Sequence, residues 1–188
     1  VYYLNGLLNF TTVNIGKHIM NLGDTLSATI SDFNYFAKFL ARSDDYTAAT
    51  GEITGTVAGT NYTVFVPSNA AIIQAVKDGI LPGNLTTGAP KFSPALNSSE
   101  KTLVNNFILY HILNKRTLIP NGKESGAFET MLKNAVGEVL PVTVISQPGS
   151  MQITDMNSRK ANVVIAKSNN LSNRAVIHLI DNYLKYSF

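Results

Sequence analysis

The stretch "AVIHLIDNYL", residues 175–184, is almost wholly apolar, yet it carries a histidine and an aspartate three residues apart. In an extended chain alternate side chains share a face. Val176, His178 and Ile180 then lie on one side, and Ile177, Leu179 and Asp181 on the other. Both sides are mostly apolar, so the stretch reads as a strand buried on both faces. A histidine in such a strand is ordinarily a neutral, hydrogen-bonded core residue, because buried polar groups are paired. Asp181 falls near the strand end, where it is expected to accept N–H bonds from a turn. The pair is read as architecture before chemistry.

Working back from this strand, "YTVFV", 62–66, is β-branched and aromatic and predicts a second strand, ended by Pro67. Ser68 or Asn69 is placed to cap a helix over 70–78, with Gly79 just beyond its end. "NSSE", 97–100, has the capping-box spacing and opens a helix predicted over 99–113, with Leu103, Phe107, Tyr110 and Leu113 near one face. Leu26, Ile30, Phe33, Ala37 and Leu40 recur at helical spacing and predict a helix over 26–40, capped by Asp24 or Thr25. Between these lie two long polar segments. One is 44–61, with glycines at 51, 55 and 59, read as a mobile loop or hairpin; the other is the Pro/Gly/Asn loop 80–98. From residue 116 the period changes to two, in "RTLI", "AFETML", "VLPVTVI", "SMQIT" and "NVVIA". Helices followed by a run of strands predict an α+β fold with a mostly antiparallel sheet.

The 188 residues suffice for one domain and some extra chain, and 45% apolar content supports a real core. Only 14% of residues are charged, and the net charge is +3. The basic residues are scattered, with Lys115–Arg116 and Arg159–Lys160 the densest pairs, so no nucleic-acid stripe is present. There is no cysteine, which excludes disulfides and thiolate metal sites and fits a secreted or periplasmic protein. No apolar run is long enough to span a membrane. His18, His111 and His178 lack metal-ligand spacing, so no metal or other cofactor is expected. "GKESG", 122–126, misses the nucleophile-elbow pattern, because Lys123 stands two residues before Ser125. A Ser68–His111–Asp181 triad can be drawn, but no spacing demands it. The chain is read as not an enzyme. Asn9, Asn61, Asn84, Asn97 and Asn170 head Asn-x-Ser/Thr sequons, mostly chance matches in an Asn- and Thr-rich chain.

Three stretches in order resemble the fasciclin family over about residues 22–186. "YTVFVPSNAAI", 62–72, resembles its first signature, "LYHIL", 109–113, its Tyr-His stretch, and "AVIHLIDNYL" its second signature. The resemblance implies a wedge-shaped β-sandwich with N-terminal helices packed alongside. It also implies that Phe65, Pro67, Ser68, Tyr110, His111, His178 and Asp181 hold the fold. Many members have Asn-Gly where Arg174–Ala175 stand here, so the turn is expected to have changed shape. Where some animal members have an Asp-Ile pair tied to integrin binding, this chain has Asn170–Leu171, and integrin binding is not carried over.

"VYYLNGLLNF", 1–10, echoes "IHLIDNYLKY", 177–186, and residues 1–12 are read as the last strand of a preceding repeat. Residues 13–24 then form a linker helix, and 25–188 the fasciclin-like domain. The expected function is a non-catalytic adhesion or interaction module of a secreted, bacterial-type surface protein. It would be peripheral to a membrane through a lipid anchor outside this chain, with a protein or glycan partner at a cell surface. Phe92, Lys91 and Tyr46, on the two long loops, are the candidate partner-binding residues. The alternative is a carbohydrate-binding accessory module of a glycan-uptake system, with Tyr46, Tyr62 and Phe92 as its aromatic platform.

Overall fold

The computed structural model describes residues 11–24 and 30–187. Four α-helices occur among them: α1 (Ile15–Gly23), α2 (Asn34–Leu40), α3 (Asn69–Lys77) and α4 (Ser98–Tyr110). A small hairpin, β1 (Tyr46–Thr47) and β2 (Glu52–Ile53), stands apart from the main sheet. That sheet contains β3 (Tyr62–Pro67), β4 (Ile112–Leu113), β5 (Gly126–Lys133), β6 (Val139–Gln147), β7 (Ser150–Thr154), β8 (Lys160–Asn162), β9 (Asn170–Leu171) and β10 (Ala175–Ile180). Its order is β8-β7-β6-β5-β4-β3-β10-β9. All its pairs are antiparallel except β3–β10, which is parallel and aligns Phe65 with His178.

Every residue of β3 and β10 is buried, as two apolar faces require. Tyr62, Val64 and Val66 of β3, with Ala175, Ile177 and Leu179 of β10, join a core built with the helices, including Ile19, Phe36, Ile72 and Phe107. Phe65 and Ile180 face the opposite way, into a second core with Leu113, Val142, Val144, Ile153 and Ala161. The sandwich thus arises from one sheet that curls over itself. At one end the curl closes: Val163 bridges to Ile180, and the Asp181 N–H donates to the Asn162 carbonyl at 3.0 Å.

The local signals act as their chemistry demands. The Ser68 hydroxyl accepts from the Ala71 N–H at 3.3 Å, and Asn97 with Glu100 forms a complete capping box. Gly79 follows α3 at φ 71°, where a Cβ would be strained. The loop 44–61 contains the β1–β2 hairpin and docks on α1. There the Gly51 carbonyl accepts the Lys17 N–H at 3.0 Å, satisfying a first-turn donor of α1.

Several expectations about element bounds are corrected. Of the helix predicted over 26–40 only Asn34–Leu40 is helical among the described residues; Leu26 and Thr25 lie outside them. Ile30 is 57% exposed, and Asp24 ends α1 in the left-handed region instead of capping α2. Helix α4 stops at Tyr110; its buried face is Val104, Phe107 and Ile108, whereas Leu103 is 38% exposed and Leu113 belongs to β4. "RTLI" is not a strand, and "NVVIA" leaves β8 after Asn162 for a 3-10 turn at Ile165–Lys167. The linker helix expected over 13–24 is Ile15–Gly23, and it contributes Ile15 and Ile19 to the main core. The strand expected over 1–12 falls almost entirely on residues outside the described ones.

Candidate functional site

His178 is fully buried, with its ring stacked on Phe65 at 5.9 Å between centroids. Its Nε2 lies 2.9 Å from the Leu118 carbonyl, and its Nδ1 accepts the Asn169 N–H at 3.3 Å. A carbonyl only accepts and an N–H only donates, so the ring is neutral with its proton on Nε2. Burial also lowers its pKa, disfavouring the charged form.

His111 follows the same logic one strand away. It caps the C-terminus of α4, where its Nδ1–H donates to the Phe107 carbonyl at 2.7 Å and its Nε2 accepts the Leu184 N–H at 3.0 Å. Complete burial pushes its pKa down to about 3. Tyr110 is buried too; its hydroxyl donates to the Pro141 carbonyl at 3.2 Å and accepts the Met156 N–H at 3.3 Å. Burial pushes that phenol up to about 12.

Asp181 does not meet His178. Its carboxylate accepts the Asn162 backbone N–H at 2.7 Å and the Asn162 side-chain amide at 2.9 Å. The expected turn partner is therefore a β8 residue across the closing edge. Ser68, His111 and Asp181 each bind other groups, so the triad is not assembled. No group of three or more His, Asp or Glu residues suited to a metal ion occurs among the described residues. The Arg174–Ala175 turn needs no positive φ: Ser172 holds it, its Oγ accepting the Ala175 N–H at 3.0 Å.

The loop candidates are anchored more than displayed. Phe92, the central loop candidate, is half-buried, with Tyr35 at 5.6 Å and Phe39 at 5.1 Å. Lys38 and Arg42 lie over its ring. Lys91 is held by both Glu100 carboxylate oxygens, and Tyr46 packs half-buried against the main core, near Gly16. Tyr62 is buried with its hydroxyl accepting the Val57 N–H, so the three aromatics form no platform. Phe92→Ser is expected to lower stability by about 1–2 kcal/mol, since a half-buried ring is lost. Thermal unfolding checks this, and an unchanged melting temperature would show that the ring anchors nothing.

An apolar recess lies elsewhere on the surface of the described residues. A shallow cleft of about 270 Å³ is lined by Ile119, Pro120, Asn121, Asn169, Leu171 and Val176. Leu171 is 60% exposed and Ile119 44%. One wall is the segment after Leu118; the other is Asn169 (φ 59°) and β9. His178 bonds both walls from beneath, through Leu118 and Asn169. Sequence reading missed this cleft because its walls are some fifty residues apart; Leu171 within a polar segment was the one local signal.

A search of curated proteins returns no match. Among solved structures, the chain is similar to a FAS1 domain pair from the insect cell adhesion molecule Fasciclin I, at 14% identity and a TM-score of 0.43. The match covers 69% of this chain and 41% of that one, so the chain spans less than half of that relative's length. The family model described as Fasciclin domain matches residues 31–186, which takes in both buried histidines, the Ser68 cap and the cleft above His178. The chain belongs to the fasciclin domain family.

Proposed function

We propose that this chain is a non-catalytic interaction module that recognises a protein at a cell surface through the Ile119–Leu171 cleft. The observation that supports it most is the pair of hydrogen bonds from His178 to the two walls. A residue committed to the core fixes the spacing of the two cleft walls, so the recess is preformed and loses little entropy on binding. Fasciclin domains are typically binding modules of extracellular and surface proteins, which fits this reading. A preceding repeat ending in residues 1–12 and a lipid-anchored, bacterial-type parent belong to the same proposal.

Leu171→Asp places a charge in the apolar recess without touching the core. It is expected to reduce adhesion of the protein to partner-bearing cells at least about tenfold, the effect of roughly 1.4 kcal/mol. The melting temperature should stay within a degree or two. Because Asn170–Leu171 offers no carboxylate to a metal ion, the adhesion is also expected to survive chelation of divalent cations. Undiminished adhesion of Leu171→Asp would overturn the assignment of this cleft.

A further inference from the structure

A second recess, on the outer face of β6, β7 and β8, has different chemistry. It measures about 270 Å³ and is lined by Ile145, Gln147, Ser150, Met151, Gln152, Asn162 and Val163. None of these side chains is ionisable, so a charged ligand finds no ion-pair partner there. The strand register puts Ile145, Gln152 and Asn162 in one row and pairs Gln147 with Ser150 in the next. Adjacent strands lie roughly 4.8 Å apart, and alternate residues along a strand roughly 6.7 Å, a mesh on the scale of one sugar ring.

The amides in the first row are oriented by a chain of bonds starting at Asp181. A carboxylate can only accept, so it takes the Asn162 amide NH2 at 2.9 Å. That leaves the Asn162 Oδ1 to accept the Gln152 Nε2 at 2.9 Å. The Gln152 Oε1 is then free to accept from outside. The Gln147 amide and the Ser150 hydroxyl have no partner among the described residues, and both residues are exposed. Ile145, half exposed, supplies an apolar spot between these groups.

We propose that this face binds a neutral carbohydrate. The amides and the hydroxyl would exchange hydrogen bonds with sugar hydroxyls, and Ile145 would meet the C–H face of the ring. Gln152 and Gln147 are contact residues; Asp181 is a positioning residue that acts through Asn162. No aromatic ring lines the recess, so each contact is weak, a weakness suited to multivalent surface glycans. The site is remote in chemistry from the Ile119–Leu171 cleft and does not rest on its function.

The test is a heteronuclear NMR titration of the whole chain with cellotetraose, mannotetraose and acetylated chitotetraose, and with tetragalacturonate as the charged control. At least one neutral probe is expected to shift the backbone amides of Ile145, Gln147, Ser150, Gln152 and Asn162. Gln147→Ala with Gln152→Ala is expected to weaken that binding about tenfold or more at an unchanged melting temperature. Leu171→Asp should leave it intact. Silence from all three neutral probes, a response to tetragalacturonate alone, or shifts that persist in the double variant would each overturn the proposal.

Discussion

Replacing His111 with leucine is expected to lower the stability of the domain by about 2–6 kcal/mol, because two buried backbone groups lose their partner at about 1–3 kcal/mol each. The Phe107 carbonyl sits in the last turn of α4, and the imidazole donates to it at 2.7 Å. The Leu184 N–H belongs to the chain's final segment and has the same ring as its acceptor. Leucine keeps much of the volume, so the loss is one of hydrogen bonding, plus the ring contact with Phe107 at 4.2 Å. His111→Gln, which can donate and accept, is expected to recover part of the loss. Urea unfolding at neutral pH checks this, and a loss below about 1 kcal/mol would show that both backbone groups find other partners.

Acid is expected to weaken the fold before most of its carboxylates protonate. The ordinary histidine pKa of 6.5 falls to about 3 for His111, and His178 moves the same way. Between those values the unfolded chain binds protons that the folded one refuses. Stability from these groups is therefore complete above about pH 6.5 and lost as pH falls, for His111 at about 1.4 kcal/mol per pH unit down to its lowered pKa. Asp45 acts in the opposite sense. Burial, and secondly the neighbouring Asp44 charge, raise its pKa to about 6, so the folded state binds the extra proton between about 4 and 6. Asp45 offsets one histidine over that window, and the downward shift of His178 keeps the net change a loss. Below about pH 4 the offset ends and the decline steepens. Urea midpoints at pH 7, 5 and 4 should fall in that order. His111→Leu should start lower and decline less steeply by about 1.4 kcal/mol per unit. Equal slopes in the two proteins would refute the assignment.

What the sequence disclosed was local. The two-faced character of residues 175–180, the Ser68 cap and the Asn97–Glu100 box are set by neighbours within four residues, and each was legible. The start of α2 was not. Ile30 continues the helical period, but the chain turns at 31–33, where the Ser31 hydroxyl donates to the Leu22 carbonyl and ties the turn to α1. Asp181 was placed correctly at a strand end, yet its partner, Asn162, comes from the far edge of a curled sheet. The cleft was hidden for the same reason: periodicity reports which face a residue takes, not which distant segment meets it. Phe92 shows the converse, since an aromatic in a polar loop gave no sign of the Tyr35 and Phe39 rings waiting for it.

The parallel pairing of β3 with β10 also governs how the protein is made. Tyr62 aligns with Ala175, and over a hundred residues separate them. At cellular elongation rates β3 leaves the ribosome roughly 5–20 s before its neighbour exists. During that interval α3, α4 and β4 can cover one face and one edge of β3, while the other edge stays open and apolar on both sides. A nascent chain halted anywhere before residue 175 is thus an aggregation-prone species, not a smaller domain. Completion of this domain waits on β10, and a long-range pairing of this kind makes that step slow.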